Sequence, residues 1–159
     1  MNAHANVISI ASGEAHIEHG GAGLLIPEGE YQAKFTGHDT SYVFKTPKAF
    51  LHFEIVDPGE YCGAELFRAY RVAALIDKPR PGESSVRNGK FKLKARSALF
   101  EMLCRVLDIQ TRPDRISVRD LKNHVLKIKV RTVTTNYRGK PLPGFLQYST
   151  VDEVMGIEA

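Results

Sequence analysis

Apolar and polar residues alternate along five segments of the chain, which is the pattern of strands that bury one face of a sheet. Clusters of Gly, Pro, Asp and Asn, which favour turns, separate most of these segments. The five predicted strands cover residues 31–36, 48–56, 64–73, 124–133 and 145–151. The polar run at 37–41 (GHDTS) is predicted to be a turn or loop after the first strand.

Two of these strands have a clear inner face. Their inward residues are predicted to be Leu51, Phe53, Ile55, Leu126, Ile128 and Val130. In the third strand either of two sets could face inward: Leu66, Tyr70 and Val72, or Phe67 and Ala69. We favour the orientation with Arg68 and Tyr70 outward, because a buried arginine needs a polar partner.

The spacing of apolar residues changes to a helical one from about Lys94 onward. One stripe at helical spacing contains Leu99, Met102, Leu103, Val106 and Leu107. The helix is predicted to end near Asp108, ahead of the Arg112-Pro113 pair. Ser117 and Asp120 stand at the spacing of a capping box, which predicts a short capped turn there.

This order of elements predicts an all-β fold with one helix: three strands, a helix, then two strands. It is the plan of the five-stranded OB-fold barrel, a small sheet that commonly binds oligonucleotides. An open α+β sheet is the rival plan. We predict an OB-fold nucleic-acid-binding domain over 27–151, a flexible or partly ordered arm over 1–26 and a short acidic C-terminal segment over 152–159.

Charge is distributed unevenly along the 159 residues. The net charge is +4, but residues 1–66 carry −6, residues 67–140 carry +13 and residues 141–159 carry −3. A strongly basic stretch favours polyanionic partners. The alternative is a solvated basic surface that the acidic N-terminal part offsets in the fold.

Several function classes find no support in the sequence. No apolar run approaches the ~20 residues that cross a bilayer, and the N-terminus lacks the basic start of a secretory signal, so a cytoplasmic protein is expected. Cys62 and Cys104 have no zinc spacing and are expected to be reduced thiols. His16 and His19 lack a third metal ligand, and motifs of catalytic sites are missing, so neither an enzyme nor a cofactor is predicted.

The chain resembles the small single-stranded-DNA-binding proteins of bacteriophages and mobile plasmids, which adopt OB folds. The segments LIPEGEYQAKFTG and KAFLHFEIVDPGEYCGAELFRAYRV resemble the first strand and the hairpin that follows. KARSALFEMLCRVLDI resembles the connecting helix, and DLKNHVLKIKVRT with YRGKPLPGF resembles the closing hairpin. The resemblance covers about residues 25–151. Unlike the cellular relatives, this chain has no long acidic tail with a terminal aromatic residue.

Sequence-neutral binding of single strands requires cations along the phosphates and flat rings for the bases. The candidate residues are Tyr42, Phe44, Lys45, Lys48, Phe50, His52, Arg68, Tyr70, Lys90, Lys92, Lys94, Lys127, Lys129, Arg131, Tyr137, Arg138 and Lys140. Alternatives stay open: Phe44 and Phe50 could be core residues, and the three cations of 127–131 could be a solvated strand face. Tyr137 beside Arg138 in a glycine-containing loop is the strongest candidate.

These residues predict a protein that coats single-stranded DNA, or RNA, during phage or plasmid replication or recombination. Replication or recombination proteins are its expected further partners, and the oligomeric state is left open. The alternative is an OB-like protein-interaction module, a replisome adaptor or host-factor inhibitor, whose working surface would be acidic.

Overall fold

The computed structural model describes residues 8–11, 14–17 and 25–158, which contain ten strands and one α-helix. The strands are β1 (Ile8–Ala11), β2 (Glu14–Ile17), β3 (Gly29–Val43), β4 (Thr46–Ile55), β5 (Glu65–Arg71), β6 (Ala74–Leu75), β7 (Val86–Arg87), β8 (Phe91–Lys92), β9 (Val125–Val133) and β10 (Tyr148–Ile157). The helix, α1, is Ala98–Leu107. The prediction of a mostly β chain with one helix is therefore confirmed.

One antiparallel sheet carries the five long strands in the order β10-β9-β3-β4-β5. The short strand β7 pairs with the distal half of β3, while β6 pairs with β8 and β1 pairs with β2 in separate two-stranded sheets. The helix lies between the third and fourth long strands in sequence, as predicted. Within the described residues, no backbone ladder joins β5 to β10, so the sheet is not closed into a barrel.

Side chains, rather than backbone pairs, connect the two edge strands of this sheet. Thr150 Oγ1 donates to the carbonyl oxygen of Phe67, and Arg68 Nη1 donates to that of Asp152 at 2.7 Å. From α1, Arg105 donates to the carbonyls of Val154 and Met155, each at 2.8 Å. These bonds occupy carbonyl groups that an edge strand otherwise leaves free to pair with another chain.

The predicted inner faces of β4 and β9 are confirmed. Leu51, Phe53, Ile55, Leu126, Ile128 and Val130 are all essentially inaccessible to solvent. Leu99, Met102, Leu103 and Val106 of α1 are buried in the same core. Burial of this apolar surface is the main force that holds helix and sheet together.

The helix begins later than predicted because Ser97 caps it. Ser97 Oγ accepts from the N–H of Phe100 at 3.2 Å, and Asp108, in the left-handed conformation (φ 53°), ends the helix where expected. Lys94 therefore precedes the helix. The capping box is confirmed, since Ser117 and Asp120 bond to each other's backbone at a 3-10 helix over Val118–Leu121.

The third strand has the orientation opposite to the one we favoured. Tyr70 lies opposite Ala49 and Arg68 lies opposite Leu51, so both side chains face the core, and Tyr70 is only 6% exposed. Arg68 finds its partner across the sheet opening in the carbonyl of Asp152, and its guanidinium lies 5.0 Å from the centre of the Tyr70 ring. Its Nε is buried without a partner among the described residues.

Residues 37–41 form strand, not the predicted loop. β3 runs through them after a register shift between Phe35 and Gly37. The side chains of His38, Thr40 and Ser41 are buried. His38 Nε2 bonds to the carbonyl of Gly89 at 2.8 Å, and Ser41 Oγ donates to that of Ser84 at 2.6 Å. Because a distant segment satisfies these groups, a polar sequence extends the sheet.

The ends of the domain also differ from expectation. β10 continues to Ile157, so the predicted strand end at Val151 is wrong and Asp152 and Glu153 lie within a paired strand. Ile26, placed in the arm by the sequence, is buried in the core, and its N–H donates to Ser149 Oγ at 2.9 Å. Most of residues 1–24 lie outside the described residues.

Gly89 provides a test of how closely β3 packs against 84–89. A Cβ at Gly89 would overlap the hydroxyl of the buried Thr40 and lie 3.2 Å from Val86 Cβ. We expect Gly89→Ala to lower the free energy of unfolding by about 1–3 kcal/mol through overpacking, measured by urea denaturation. Gly144→Ala is the control, because a Cβ at Gly144 meets nothing within 4 Å. Equal stabilities for the two variants would contradict the close approach.

Candidate nucleic-acid interface

The hairpin of β3 and β4 ends in a two-residue turn, Phe44-Lys45, in which both residues have positive φ (50° and 64°). Such turns match the twist of the strands but favour Asn-Gly, because other side chains are strained in this conformation. The left-handed conformation costs an ordinary residue about 1–2 kcal/mol. Strained residues of this kind cluster at functional sites, which makes the turn a candidate.

A second loop, residues 134–147 between β9 and β10, has an ordered start. Asn136 Oδ1 accepts from the backbone N–H groups of Arg138 at 2.8 Å and Lys140 at 3.0 Å. The N–H of Asn136 donates to the carbonyl of Lys140 at 2.8 Å, and Gly139 takes a positive φ of 78°. This network leaves the side chains of Tyr137, Arg138 and Lys140 exposed.

The two loops meet through their aromatic rings. The ring centroids of Phe44 and Tyr137 lie 5.0 Å apart, and the guanidinium of Arg138 lies 5.3 Å from the centre of the Tyr137 ring. Phe44 is 52% exposed and Tyr137 is 59% exposed. The structure therefore places Phe44 on the surface rather than in the core, and it brings together two candidates that are 93 residues apart.

Every exposed aromatic side chain of residues 25–158 belongs to these two segments: Tyr42, Phe44, Tyr137 and Phe145. We call this set the aromatic tip. Phe145, which is 64% exposed, was missed because the alternation of residues 145–151 assigned it to a strand, whereas it lies in a 3-10 turn, Gly144–Leu146. Its position after Pro143-Gly144, a strong turn signal, could have indicated a loop.

Five cations lie on the same two loops or on the adjoining strand ends: Lys45, Lys48, Arg71, Arg138 and Lys140. Lys48 and Arg71 are directly opposite each other in the β4–β5 register, and like charges in such a pair destabilise a sheet. None of the five takes part in the ion pairs found among residues 25–158. We call this set the tip cations.

The cations on the outer face of β9 have a different environment. Lys127 Nζ lies 3.0 Å from Glu30 Oε1, and Arg131 Nε lies 3.0 Å from Asp152 Oδ1. The hydrogen bond that Lys127 donates to the Glu30 carboxylate raises the pKa of Lys127. Lys129 lies between Glu30 and Glu153 in the registers of β3 and β10. This neutralisation favours the solvated strand face over a phosphate track.

The outer face of β4 and β5 presents aromatic residues that the sequence assigned differently. Phe50 is 8% exposed, with its ring 5.9 Å from that of Phe67, and Phe67 stacks on Tyr148 at 5.9 Å. His52 is held by Asp39, whose Oδ2 lies 2.9 Å from His52 Nε2. Phe50 is thus a packing residue, while the half-buried Phe67 and Tyr148 lie on the face where we had expected Tyr70.

The other predicted residues lie in separate places. Tyr70 is buried, which raises the pKa of its hydroxyl, and Arg68 is committed to the sheet edge. Lys90, Lys92 and Lys94 are exposed before the helix. Lys92 pairs with Ala74 in the β6–β8 ladder, and Ala74 is three residues after Arg71, the last residue of β5. The segment that contains Lys92 therefore lies next to the chain that leaves β5.

Comparisons with models of known protein families, with curated proteins and with solved structures give no match to this chain. The resemblance to phage and plasmid single-stranded-DNA-binding proteins therefore stays a prediction from the sequence.

Among the described residues, no three His, Cys, Asp or Glu side chains gather in a way that could hold a metal ion. His19 lies outside the described residues. No described helix is long and apolar enough to cross a membrane.

Backbone strain at the aromatic tip has a measurable consequence for stability. Lys45→Gly removes a strain of about 1–2 kcal/mol and adds an entropic cost of about 0.5–1 kcal/mol. We expect the free energy of unfolding to rise by about 0.5–1 kcal/mol, measured by urea denaturation. Lys140→Gly is the matched control, since it removes an exposed loop lysine without positive φ and should not stabilise. A loss of stability in Lys45→Gly would contradict the strained turn.

Proposed function

We propose that this chain is a non-enzymatic protein that coats single-stranded DNA without strong sequence preference. The observation that carries the proposal is the contact between Phe44 and Tyr137, which joins two loops with exposed rings. The tip cations on these loops and the adjoining strand ends form no ion pair within residues 25–158. Bases of any identity stack on aromatic rings, and lysine and arginine follow the phosphates. Phe44, Tyr137 and Arg138, which are in contact, thus offer both kinds of group at one place.

The proposal includes an OB-type assignment of the sheet, in a partly open form. The strand order β10-β9-β3-β4-β5 places the first long strand between the second and the fourth, with the third and fifth at the two edges. Side-chain bonds between β5 and β10 stand where a closed barrel would have a backbone ladder. In OB folds, the loops that correspond to β3–β4 and β9–β10 bind oligonucleotides together with the face of strands two and three.

The mechanism we propose is stoichiometric. The tip cations neutralise phosphates and release their counterions, which provides most of the affinity. The exposed rings then hold the bases by stacking, worth on the order of 1–3 kcal/mol each. Phe67 and Tyr148, on the outer face of β5 and β10, extend the aromatic surface beyond the tip.

The biological setting follows from the resemblance alone. We propose a cytoplasmic protein of phage or plasmid replication or recombination, with proteins of those processes as further partners. A protein-interaction module is the alternative. Its acidic working surface is less favoured, because Glu30, Glu54 and Asp152 each lie within 4 Å of a lysine or arginine.

Tyr137→Ala tests the stacking contact. We expect the variant to bind a fluorescent oligothymidine about 1–3 kcal/mol more weakly than the unsubstituted chain, measured by fluorescence anisotropy. Tyr61→Ala is the control: Tyr61 follows the far end of β4, packs edge-on against Tyr31 and is not part of the aromatic tip. Equal affinities would remove Tyr137 from the site. Absence of binding by the unsubstituted chain, with capture of a protein partner after nuclease treatment, would favour the alternative.

A salt series tests the electrostatic part. With five phosphates contacted by the tip cations, log K should fall against log salt with a slope of roughly −3.5. Lys140→Gln should make this slope shallower by about 0.7, whereas Lys127→Gln should leave it unchanged because Glu30 already pairs with that lysine. A shallower slope for Lys127→Gln than for Lys140→Gln would indicate that the phosphates bind along β9 instead. Affinity that does not change with salt would reject the mechanism.

A further inference from the structure

A cavity of about 250 Å³ lies beside β3, away from the turn at Phe44-Lys45. The segment 88–93 and the short 3-10 helices around 113–119 complete its walls. Its chemically distinctive lining residues are His38, Lys90, Phe91, Ser117 and Arg119. The volume is below the ~300 Å³ at which sites for drug-sized ligands begin, so the cavity suits one small planar group.

His38 lines this cavity, and one of its ring nitrogens is committed to a hydrogen bond. Its Nε2 bonds to the carbonyl of Gly89 at 2.8 Å, and since a carbonyl only accepts, Nε2 carries the proton. Nδ1 is then the acceptor nitrogen, and it takes no hydrogen bond from the residues the structure describes between 25 and 158. Burial lowers the pKa of His38, and this effect exceeds the opposing ones of the hydrogen bond to Gly89 and the charge of Asp39.

Two cations and an aromatic ring line the same cavity as His38. The side chains of Lys90 and Arg119 are exposed and form no ion pair with any residue in the described part of the chain. Phe91 meets the His38 ring edge to face, with centroids 5.5 Å apart, and Leu93 and Ile116 add apolar walls. A ligand that uses all these groups must combine a flat ring, a hydrogen-bond donor on the ring edge and a negative charge.

We propose that this cavity binds one nucleotide, with the base against Phe91 and its edge toward His38 Nδ1, and the phosphate near Lys90 and Arg119. A free nucleotide and a base of a bound strand share this chemistry. Only the second source rests on the proposed function.

The experiment titrates thymidine 5′-monophosphate and inorganic phosphate into the full chain by isothermal calorimetry. We expect saturable binding of the nucleotide and at least about tenfold weaker binding of phosphate, because phosphate lacks the ring. Arg119→Gln should weaken nucleotide binding about tenfold, as expected when a charge-assisted hydrogen bond is lost. Arg115→Gln is the matched control, an exposed arginine of the neighbouring 3-10 helix that does not line the cavity.

The same variants distinguish a free nucleotide from a base of a bound strand as the ligand. They also separate the nucleotide site from the proposed coating of single-stranded DNA. If the base comes from a strand, Arg119→Gln weakens oligothymidine binding more than Arg115→Gln does, while Tyr137→Ala leaves mononucleotide binding intact. If the source is a free nucleotide, only mononucleotide binding responds to Arg119→Gln. Mononucleotide binding without oligothymidine binding would reject the proposed function and support the cavity. Equal effects of the two arginine variants, or no mononucleotide binding, would overturn the nucleotide site.

Discussion

Hydrogen bonds between buried polar side chains of β3 and the backbone of residues 84–89 hold the distal half of the β3–β4 hairpin in place. His38 and Ser41 reach the carbonyls of Gly89 and Ser84, and the N–H of Asn88 donates to the carbonyl of His38. Without these partners the buried groups would each be unsatisfied, at a cost of about 1–3 kcal/mol. The end of the hairpin, whose turn residue Phe44 contacts Tyr137, would then no longer be held in position.

The same support explains why a strained turn persists. Phe44 and Lys45 adopt a conformation that ordinary side chains disfavour, and such a conformation survives only where the surrounding structure determines it. The long paired strands on either side fix the turn, and the Phe44–Tyr137 contact joins it to the β9–β10 loop. The arrangement of exposed rings is therefore fixed in the chain alone, which would reduce the ordering cost of the binding we propose.

Local patterns predicted the parts of the fold that local physics controls. Alternation identified the inner faces of β4 and β9, and capping chemistry identified the turn at Ser117. The sequence could not reveal features whose cause lies far along the chain. The run 37–41 looks like a loop until residues 84–89 are present, and Arg68 looks solvent-exposed until the carbonyl of Asp152, 84 residues away, approaches it.

Total charge is a poor guide to where a polyanion would bind on this molecule. The basic stretch of residues 67–140 supplies cations to two surfaces with different environments. On β9, acidic residues of β3 and β10 lie beside the cations, so the field of that strand is largely cancelled at short range. At the tip, Lys48 and Arg71 repel each other with no acid among the described residues to pair with either. A phosphate between them would relieve that repulsion, so the binding we propose would also stabilise this part of the sheet.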